Sequence, residues 1–409
     1  MNCRFCKTTL QHELINLGNA PASNSFLTAD QLNRPEVYYP LKVFVCHKCF
    51  LVQIDEYQSS ASIFNDEYVY FSSYSTSWLN HARQYTEMMT QRFALGTESS
   101  VMEIASNDGY LLQYFAEKNI PVTGIEPTKN TAEVALGKGI PTIVDFFGTR
   151  LAAQLVMEDK QADLLVGNNV LAHVPDIVDF VAGMKIVLKP GGIITLEFPH
   201  LVRLIDGNQF DTIYHEHYSY LSFYTVKRIF AAQQLEIFDL EELATHGGSL
   251  RIFARHAGHT ELKISPRVGE MEEQEMRKGI TTLEYYTGFQ QRALKTKLEL
   301  LEFLIKQKAT RKKVAAYGAA AKGNTLLNYC GIKSDLIDFV VDANPNKQNK
   351  FLPASHIPVV NESYLKEEKP EYVVILPWNI SQEIMKQLDF IKDWNGKFVI
   401  GIPELRIYN

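Results

Sequence analysis

From Val101 onward, short apolar runs alternate with longer stretches of helical period. VMEI is followed by a helical stretch from Tyr110 to Lys118, PVTGIE by a second helix, PTIVDFF by a third, DLLVGNNVL by a fourth opening at Asp176, and GGIITLEF closes the series. This alternation predicts a parallel sheet wound with crossover helices. Ligands of such sheets sit at the carboxyl ends of the strands, so the loops after each strand are where chemistry is expected. A second, smaller series begins near Lys312: KVAAYG, a helix through Asn328, LIDFVVD, EYVVILPW, a helix from Ser381, and KFVIGIPE. Between the two, Val268 to Lys308 is rich in Glu, Lys, Leu and Gln and free of Pro, which predicts one or two connecting helices. Ahead of Val101 the texture differs. Tyr38, Tyr39, Leu41, Val43 and Val45 approximate the alternation of short strands.

That N-terminal stretch is framed by two C-x-x-C pairs, Cys3/Cys6 and Cys46/Cys49. Each pair puts two thiolates on one knuckle, and two knuckles supply the four sulfurs that zinc prefers. Four sulfurs leave no open coordination position, so the expected zinc is structural. The rival is a redox pair. Cys330 stands apart and reads as a small buried apolar residue. The expected divisions are therefore a zinc-binding module over 1–70, a Rossmann-like domain over 71–267, a helical connector over 268–311 and a Rossmann-like α/β domain over 312–409.

Charge narrows the partners. With 41 basic and 47 acidic side chains the formal charge is −6, which offers no basic face for a nucleic-acid backbone. No apolar run approaches the roughly 18 residues of a membrane span, and MNCRFCKTTL has no signal-peptide core. A cytoplasmic monomer that engages neither nucleic acid nor membrane is expected.

The loop after the first strand reads Glu103-Ile-Ala-Ser-Asn-Asp-Gly109. Small residues at Ala105 and Gly109 let backbone approach a ligand, while Ser106, Asn107 and Asp108 suit an amino-acid moiety. The second strand ends at Glu126, where a ribose diol is usually held. The third ends in Asp145-Phe146-Phe147, an acceptor beside two rings able to sandwich a purine. The fourth ends in Asn168-Asn169, with His173 shortly after. In the C-terminal unit, Tyr317-Gly-Ala-Ala-Ala-Lys322-Gly-Asn324 follows a strand and opens a helix whose free N–H groups could receive a diphosphate. It is not a Walker loop, because the lysine precedes the second glycine. Asp342-Ala-Asn344-Pro-Asn-Lys347 ends the next strand, where a nucleoside could be read.

EIASNDG, GIEP, DFF and NNVLAHV, together with the four cysteines, resemble the zinc-containing, S-adenosylmethionine-dependent sugar C-methyltransferases that act on nucleotide-linked keto sugars. YHEH, HGG, YGAAAKGN, DANPNKQN and PWN extend the resemblance over nearly the whole chain. One departure is clear: Ala105 and Asn107 stand where the general E-x-G-x-G loop has glycines. The resemblance implies a central class I methyltransferase domain holding S-adenosylmethionine through Ala105, Ser106, Asn107, Gly109, Glu126, Asp145, Phe146, Asn168, Asn169 and His173. It implies a C-terminal domain holding the nucleotide-diphosphate keto sugar through Tyr317, Lys322, Asn324, Asp342, Lys347, Trp378 and Asn379, with His246 and Gly247 at the cleft.

Tyr214-His215-Glu216-His217-Tyr218 gathers two imidazoles, a carboxylate and two phenols. If extended, it points His215 and His217 one way and Glu216 the other. Its spacing is not the H-E-x-x-H of a zinc site. Carbon methylation beside a ketone requires a base, and imidazole with a pKa near 6.5 is neutral and basic at physiological pH. By resemblance His217 is that base, with Tyr214, Glu216 and Tyr70 around the sugar; Tyr68 and Tyr74 compete with Tyr70. The implied reaction is methylation at C-3 of a 4-keto-deoxyhexose through an enolate. A nicotinamide-dependent sugar oxidoreductase is a rival, although neither loop spells the dinucleotide fingerprint. A non-catalytic zinc-containing sugar-nucleotide binder is another, and it leaves YHEH without a role.

Overall fold

The computed structural model describes residues 1–64, 70–259 and 261–409, and these carry three sheets. Tyr68 lies outside the described residues. The first sheet opens with β1 (His12–Ala20), β2 (Tyr39–Val45) and β3 (Val52–Ile54), all antiparallel. In β2 the expected alternation holds: Leu41, Val43 and Val45 are buried while their neighbours are partly exposed. β1 escaped the sequence reading for a physical reason. Its pairing with β2 slips between Glu13 and Ile15, so Leu14 and Ile15 are both buried and the period of two is lost.

The central domain begins with β4 (Val101–Ile104), β5 (Val122–Ile125), β6 (Thr142–Ile143), β7 (Ala162–Asn168) and β8 (Leu188–Pro199). The chain then detours: β9 (Ser219–Tyr220) pairs with β3 and completes the first sheet. β10 (Leu235–Leu243) and β11 (Ser249–His256) return to give the order β10-β11-β8-β7-β4-β5-β6, with β11 antiparallel to both its neighbours. This is the class I methyltransferase arrangement. Strand order reverses between β4 and β7, and the ligand crevice of an open α/β sheet lies outside the carboxyl ends at that switch. Asp176 opens the helix Ile177–Val187 where expected, its carboxylate accepting from the amides of Val178 and Asp179. β6 is shorter than PTIVDFF suggested, and Asp145 and Phe146 fall in the loop beyond it.

Two helices connect the domains, Pro266–Lys278 and Phe289–Ala309. The first is bounded by Ser265 as cap, proline in its first turn and a left-handed Gly279 after its end. β12 (Val314–Tyr317), β13 (Val340–Val341), β14 (Val359–Val360), β15 (Tyr372–Ile375), β16 (Lys397–Ile400) and β17 (Arg406–Tyr408) form the C-terminal sheet in the order β14-β13-β12-β15-β16-β17, parallel but for β17.

The N-terminal module is wedged between the other two. Leu41 and Val43 share one core with Phe289, Leu304, Val340 and Val359 of the connector and C-terminal domain, while Cys3, Cys46 and Cys49 lie in the core of the central domain with Phe223 and Val226. Among the described residues no helix is long and apolar enough to cross a membrane.

Candidate active site

The four cysteine sulfurs lie within 4.8 Å of one another, with Cys3–Cys49 and Cys6–Cys46 each at 3.4 Å. A tetrahedron of zinc–sulfur bonds of about 2.3 Å has edges of about 3.8 Å, so the set fits the ion. Both knuckles have the same build. The amide of Lys7 donates to the Cys3 carbonyl at 3.0 Å and that of Phe50 to the Cys46 carbonyl at 2.8 Å, each from a left-handed residue. Among the described residues no other group of three or more metal-ligating side chains comes together.

The loop after β4 keeps the glycine conformation without the glycines. Ala105 and Asn107 have φ of 57° and 50°, as Gly109 does at 73°. For alanine this costs roughly 1–2 kcal/mol. Glu126, buried at the end of β5, fixes the loop: Oε2 accepts from the Asn107 amide at 2.9 Å and Oε1 from that of Thr128 at 2.8 Å. Burial pushes its carboxyl up from the ordinary range. Two expected cofactor contacts are used otherwise. Ser106 is fully buried and turned beneath the loop onto Gly124, where a Cβ would sit 2.5 Å from its Oγ. The Asn107 amide holds the preceding segment, donating to the Tyr70 carbonyl at 3.2 Å and accepting from the Ser72 amide at 2.9 Å. The two-ring sandwich does not form either. Phe147 packs against Phe180 at 5.5 Å, in the space left by Gly183, while Phe146 is exposed and Asp145 pairs with Arg150. Asp108 Oδ1 and Asn169 Oδ1 are buried acceptors without a partner among the described residues. A cationic ligand rich in donors, such as S-adenosylmethionine, fits them. Asn168 ends β7, and Glu103, which sequence reasoning passed over, is fully buried beside Tyr110; burial drives its carboxyl well above the usual range.

Tyr214–His217 is a turn, not a strand, closed by the His217 amide donating to the Tyr214 carbonyl at 3.0 Å. The two histidines therefore part company. His215 lies 3.2 Å from the Pro40 carbonyl, against Tyr39. His217 faces inward, its ring 4.0 Å from that of Tyr214 and 4.6 Å from that of His173. His217 Nδ1 sits 3.1 Å from the Thr212 carbonyl, which can only accept, so Nδ1 carries the hydrogen and Nε2 the lone pair. Burial, then His173, holds the His217 imidazolium well below the ordinary range. His173 is depressed to about 4, by burial first. Glu216 Oε1 accepts from Asn24 Nδ2 at 2.6 Å, and burial pushes its carboxyl up to about 7 despite Asn24 and Lys347. Asn24, from the zinc module, gave no signal in the sequence. Tyr70 is partly exposed and Tyr74 more so.

The C-terminal domain closes the cleft. His246, at φ 54°, is depressed to about 4 by burial and by Lys322, and its ring meets Trp78 edge-on at 5.4 Å. Gly247, at φ 87°, packs directly on the Trp378 ring, which leaves no room for a Cβ. Trp378 Nε1 donates to Asp211 Oδ2 at 2.7 Å, and Lys322 Nζ to Asn379 Oδ1 at 2.6 Å. In the loop ahead of the helix Ala321–Cys330, the amides of Gly318, Ala319 and Ala320 bond to Val341 O, Asp342 Oδ2 and Gly318 O. Asn324 is likewise committed, donating to the Ser23 carbonyl at 2.6 Å. Tyr317 has its hydroxyl on Gln387 Nε2 at 2.9 Å. Lys347 lies beside Asp342 at 3.7 Å and over the Phe26 ring at 5.6 Å.

The chain matches three family profiles in succession: "Putative zinc binding domain" over 3–64, "Methyltransferase domain" over 78–240 and "C-methyltransferase C-terminal domain" over 244–403. It is 32% identical over 406 residues to C-methyltransferase NovU of Streptomyces niveus, covering 99% of this chain and 96% of that protein. Among solved structures it is similar to an S-adenosylmethionine-dependent methyltransferase from Clostridium acetobutylicum at 12% identity and TM-score 0.37, over 44% of this chain and 92% of that one. The CcbJ methyltransferase of Streptomyces caelestis is similar at 11% identity and TM-score 0.34, over 43% of this chain and 90% of that one.

Proposed function

The chain belongs to the zinc-containing, S-adenosylmethionine-dependent C-methyltransferases, and from that premise we propose that it methylates C-3 of a nucleotide-linked 4-keto-deoxyhexose through a base-generated enolate. Membership of this family sets aside the nicotinamide-dependent oxidoreductase and the non-catalytic binder. S-adenosylmethionine supplies an electrophilic methyl group when bound, held by the loop 105–109, Glu126 and Asn169. The nucleotide sugar occupies the groove between the C-terminal domain and the His217 turn, near Asp342, Lys347 and Trp378, and the protein acts in the cytoplasm as a monomer.

The observation that carries this reading is the placement of His217 Nδ1 against the Thr212 carbonyl. Its Nδ1–H is fixed on the Thr212 carbonyl at 3.1 Å and its ring is buried, so a neutral Nε2 waits in a cleft shielded from water. Glu216 and Tyr214 flank it and orient the sugar, with Tyr70 at the rim. Assay of a panel of nucleoside-diphosphate keto sugars, with product mass and NMR, tests the proposal. Methyl transfer to oxygen or nitrogen, or no transfer to any 4-keto sugar, overturns it.

The pH profile distinguishes the base from its neighbour. A base fails when protonated, and the His217 pKa is lowered, so exchange of the C-3 proton with deuterated solvent should stay flat from pH 7.5 down through 6.5 and fall only below the ordinary imidazole value. Were Glu216 the base, the rate would halve near its pKa of about 7. The cofactor end has its own test. Glu126→Ala should weaken S-adenosylmethionine binding by roughly 1.5–3 kcal/mol, the range for hydrogen bonds to a charged group, with little change for the sugar nucleotide. Calorimetry that finds the reverse would exchange the ligands between the domains.

A further inference from the structure

Lys322 stands where a diphosphate contact was expected, at the second position of the helix Ala321–Cys330, yet that helix is bonded to the segment that carries the base. Thr325, three residues on and on the same helix face, donates from Oγ1 to the Ile213 carbonyl at 2.8 Å. Lys322 Nζ donates to Asn379 Oδ1 at 2.6 Å and lies 4.9 Å from the centroid of the Trp378 ring, whose Nε1 donates to Asp211. Asp211 and Thr212 are consecutive on one 3-10 turn, and the Thr212 carbonyl fixes His217. The segment 211–213 thus meets both groups, His217 directly through the Thr212 carbonyl and Lys322 through Trp378 on Asp211, with Thr325 of the same helix on Ile213.

The charge has little to neutralise it. Among the described residues no carboxylate comes within 4.0 Å of Nζ; Asp211, whose charge it feels, gives its Oδ2 to the indole and keeps a buried Oδ1 without a partner. An ammonium has three donors, and one is used on Asn379. Burial lowers the lysine from its usual value while Asp211 raises it, and its field depresses both His246 and His217. A buried cation without an ion pair is costly, and such a group is retained where negative charge must develop.

We propose that Lys322 is a further catalytic residue, whose ammonium hydrogen-bonds the ketone oxygen as C-3 loses its proton; the inference rests on the C-methylation reading above. In that half-reaction the C-3–H bond breaks and its proton goes to His217 Nε2. The bonding pair forms the C-3–C-4 double bond, and the carbonyl π pair moves to oxygen, where Lys322 stabilises it without giving up a proton. In deuterated water the reverse step returns deuterium to C-3.

The test uses the nucleoside-diphosphate 4-keto sugar that the wild-type chain exchanges, and the matching nucleoside diphosphate, which has no ketone. Lys322→Met should slow C-3 exchange roughly 10²–10³-fold, the usual loss for one oxyanion donor, with unchanged affinity for the nucleoside diphosphate. Added methylammonium should restore exchange in Lys322→Ala. Should Lys322→Met fail to fold, Lys322→Gln keeps a donor for Asn379 without the charge, and it should show the same loss. Exchange at the wild-type rate in either folded variant overturns the proposal, as does a tenfold loss of nucleoside-diphosphate affinity with exchange preserved at saturation. Absence of exchange in the wild-type chain with every keto sugar would instead remove the C-methylation reading itself.

Discussion

His217→Asn should bind both ligands as the wild type does while turnover falls roughly 10²–10⁴-fold, the usual contribution of general-base catalysis. Asparagine keeps much of the shape and can still donate to the Thr212 carbonyl, but it has no lone pair of imidazole basicity to place where Nε2 stood. The variant should also fail to exchange the C-3 proton, which separates deprotonation from methyl transfer. Exchange at the wild-type rate would move the base elsewhere. Glu216 is then next, because its carboxyl is held at about 7 in the same turn. His215 is a weaker candidate, since its ring is turned toward the Pro40 carbonyl.

Replacing Cys46 by serine should release the zinc, lower the melting temperature and abolish turnover together. Structural zinc contributes roughly 10–16 kcal/mol of apparent binding energy in small zinc peptides, and here its ligands are packed in the core of the central domain. The effect on turnover follows from Asn24. That residue belongs to the zinc-stapled module and holds Glu216 at 2.6 Å, so loosening the module frees the turn that carries the base. Metal analysis and a thermal melt check the outcome. Full zinc content with an unchanged melting curve would sink the assignment.

What the sequence revealed was local chemistry. Two C-x-x-C pairs specify a tetrahedral sulfur site because each knuckle is self-contained, and the parallel strands are readable because buried strands are near-continuous apolar runs. Tertiary context decided the rest. Tyr214–His217 has no turn residue of the Gly, Pro or Asn type, and its conformation is set by the preceding 3-10 turn, which Thr325 clamps from another domain. Ala105 looks like a departure from a glycine-rich loop, yet its backbone adopts the left-handed form, since Glu126 and the neighbouring strand over-determine it. Ahead of the helix Ala321–Cys330 the Ala319 amide is taken by Asp342, which is distant in sequence and supplies an oxygen of its own.

The crossing of β9 into the first sheet bears on how the molecule is made. The N-terminal module leaves the ribosome first, but its sheet lacks a strand until Ser219 and Tyr220 arrive, and Leu27 pairs only when Phe351 is synthesised. Contacts of such separation close slowly, because the intervening loop must lose its freedom before the contact forms. The module therefore carries an unpaired edge at β3 until Ser219 and Tyr220 are made, while the four-sulfur site, like the β1–β2–β3 ladder, needs nothing from downstream. All four zinc ligands precede β3, so a metal bound there can hold Cys46, Cys49 and the strands beside them in register before the rest of the protein closes over them.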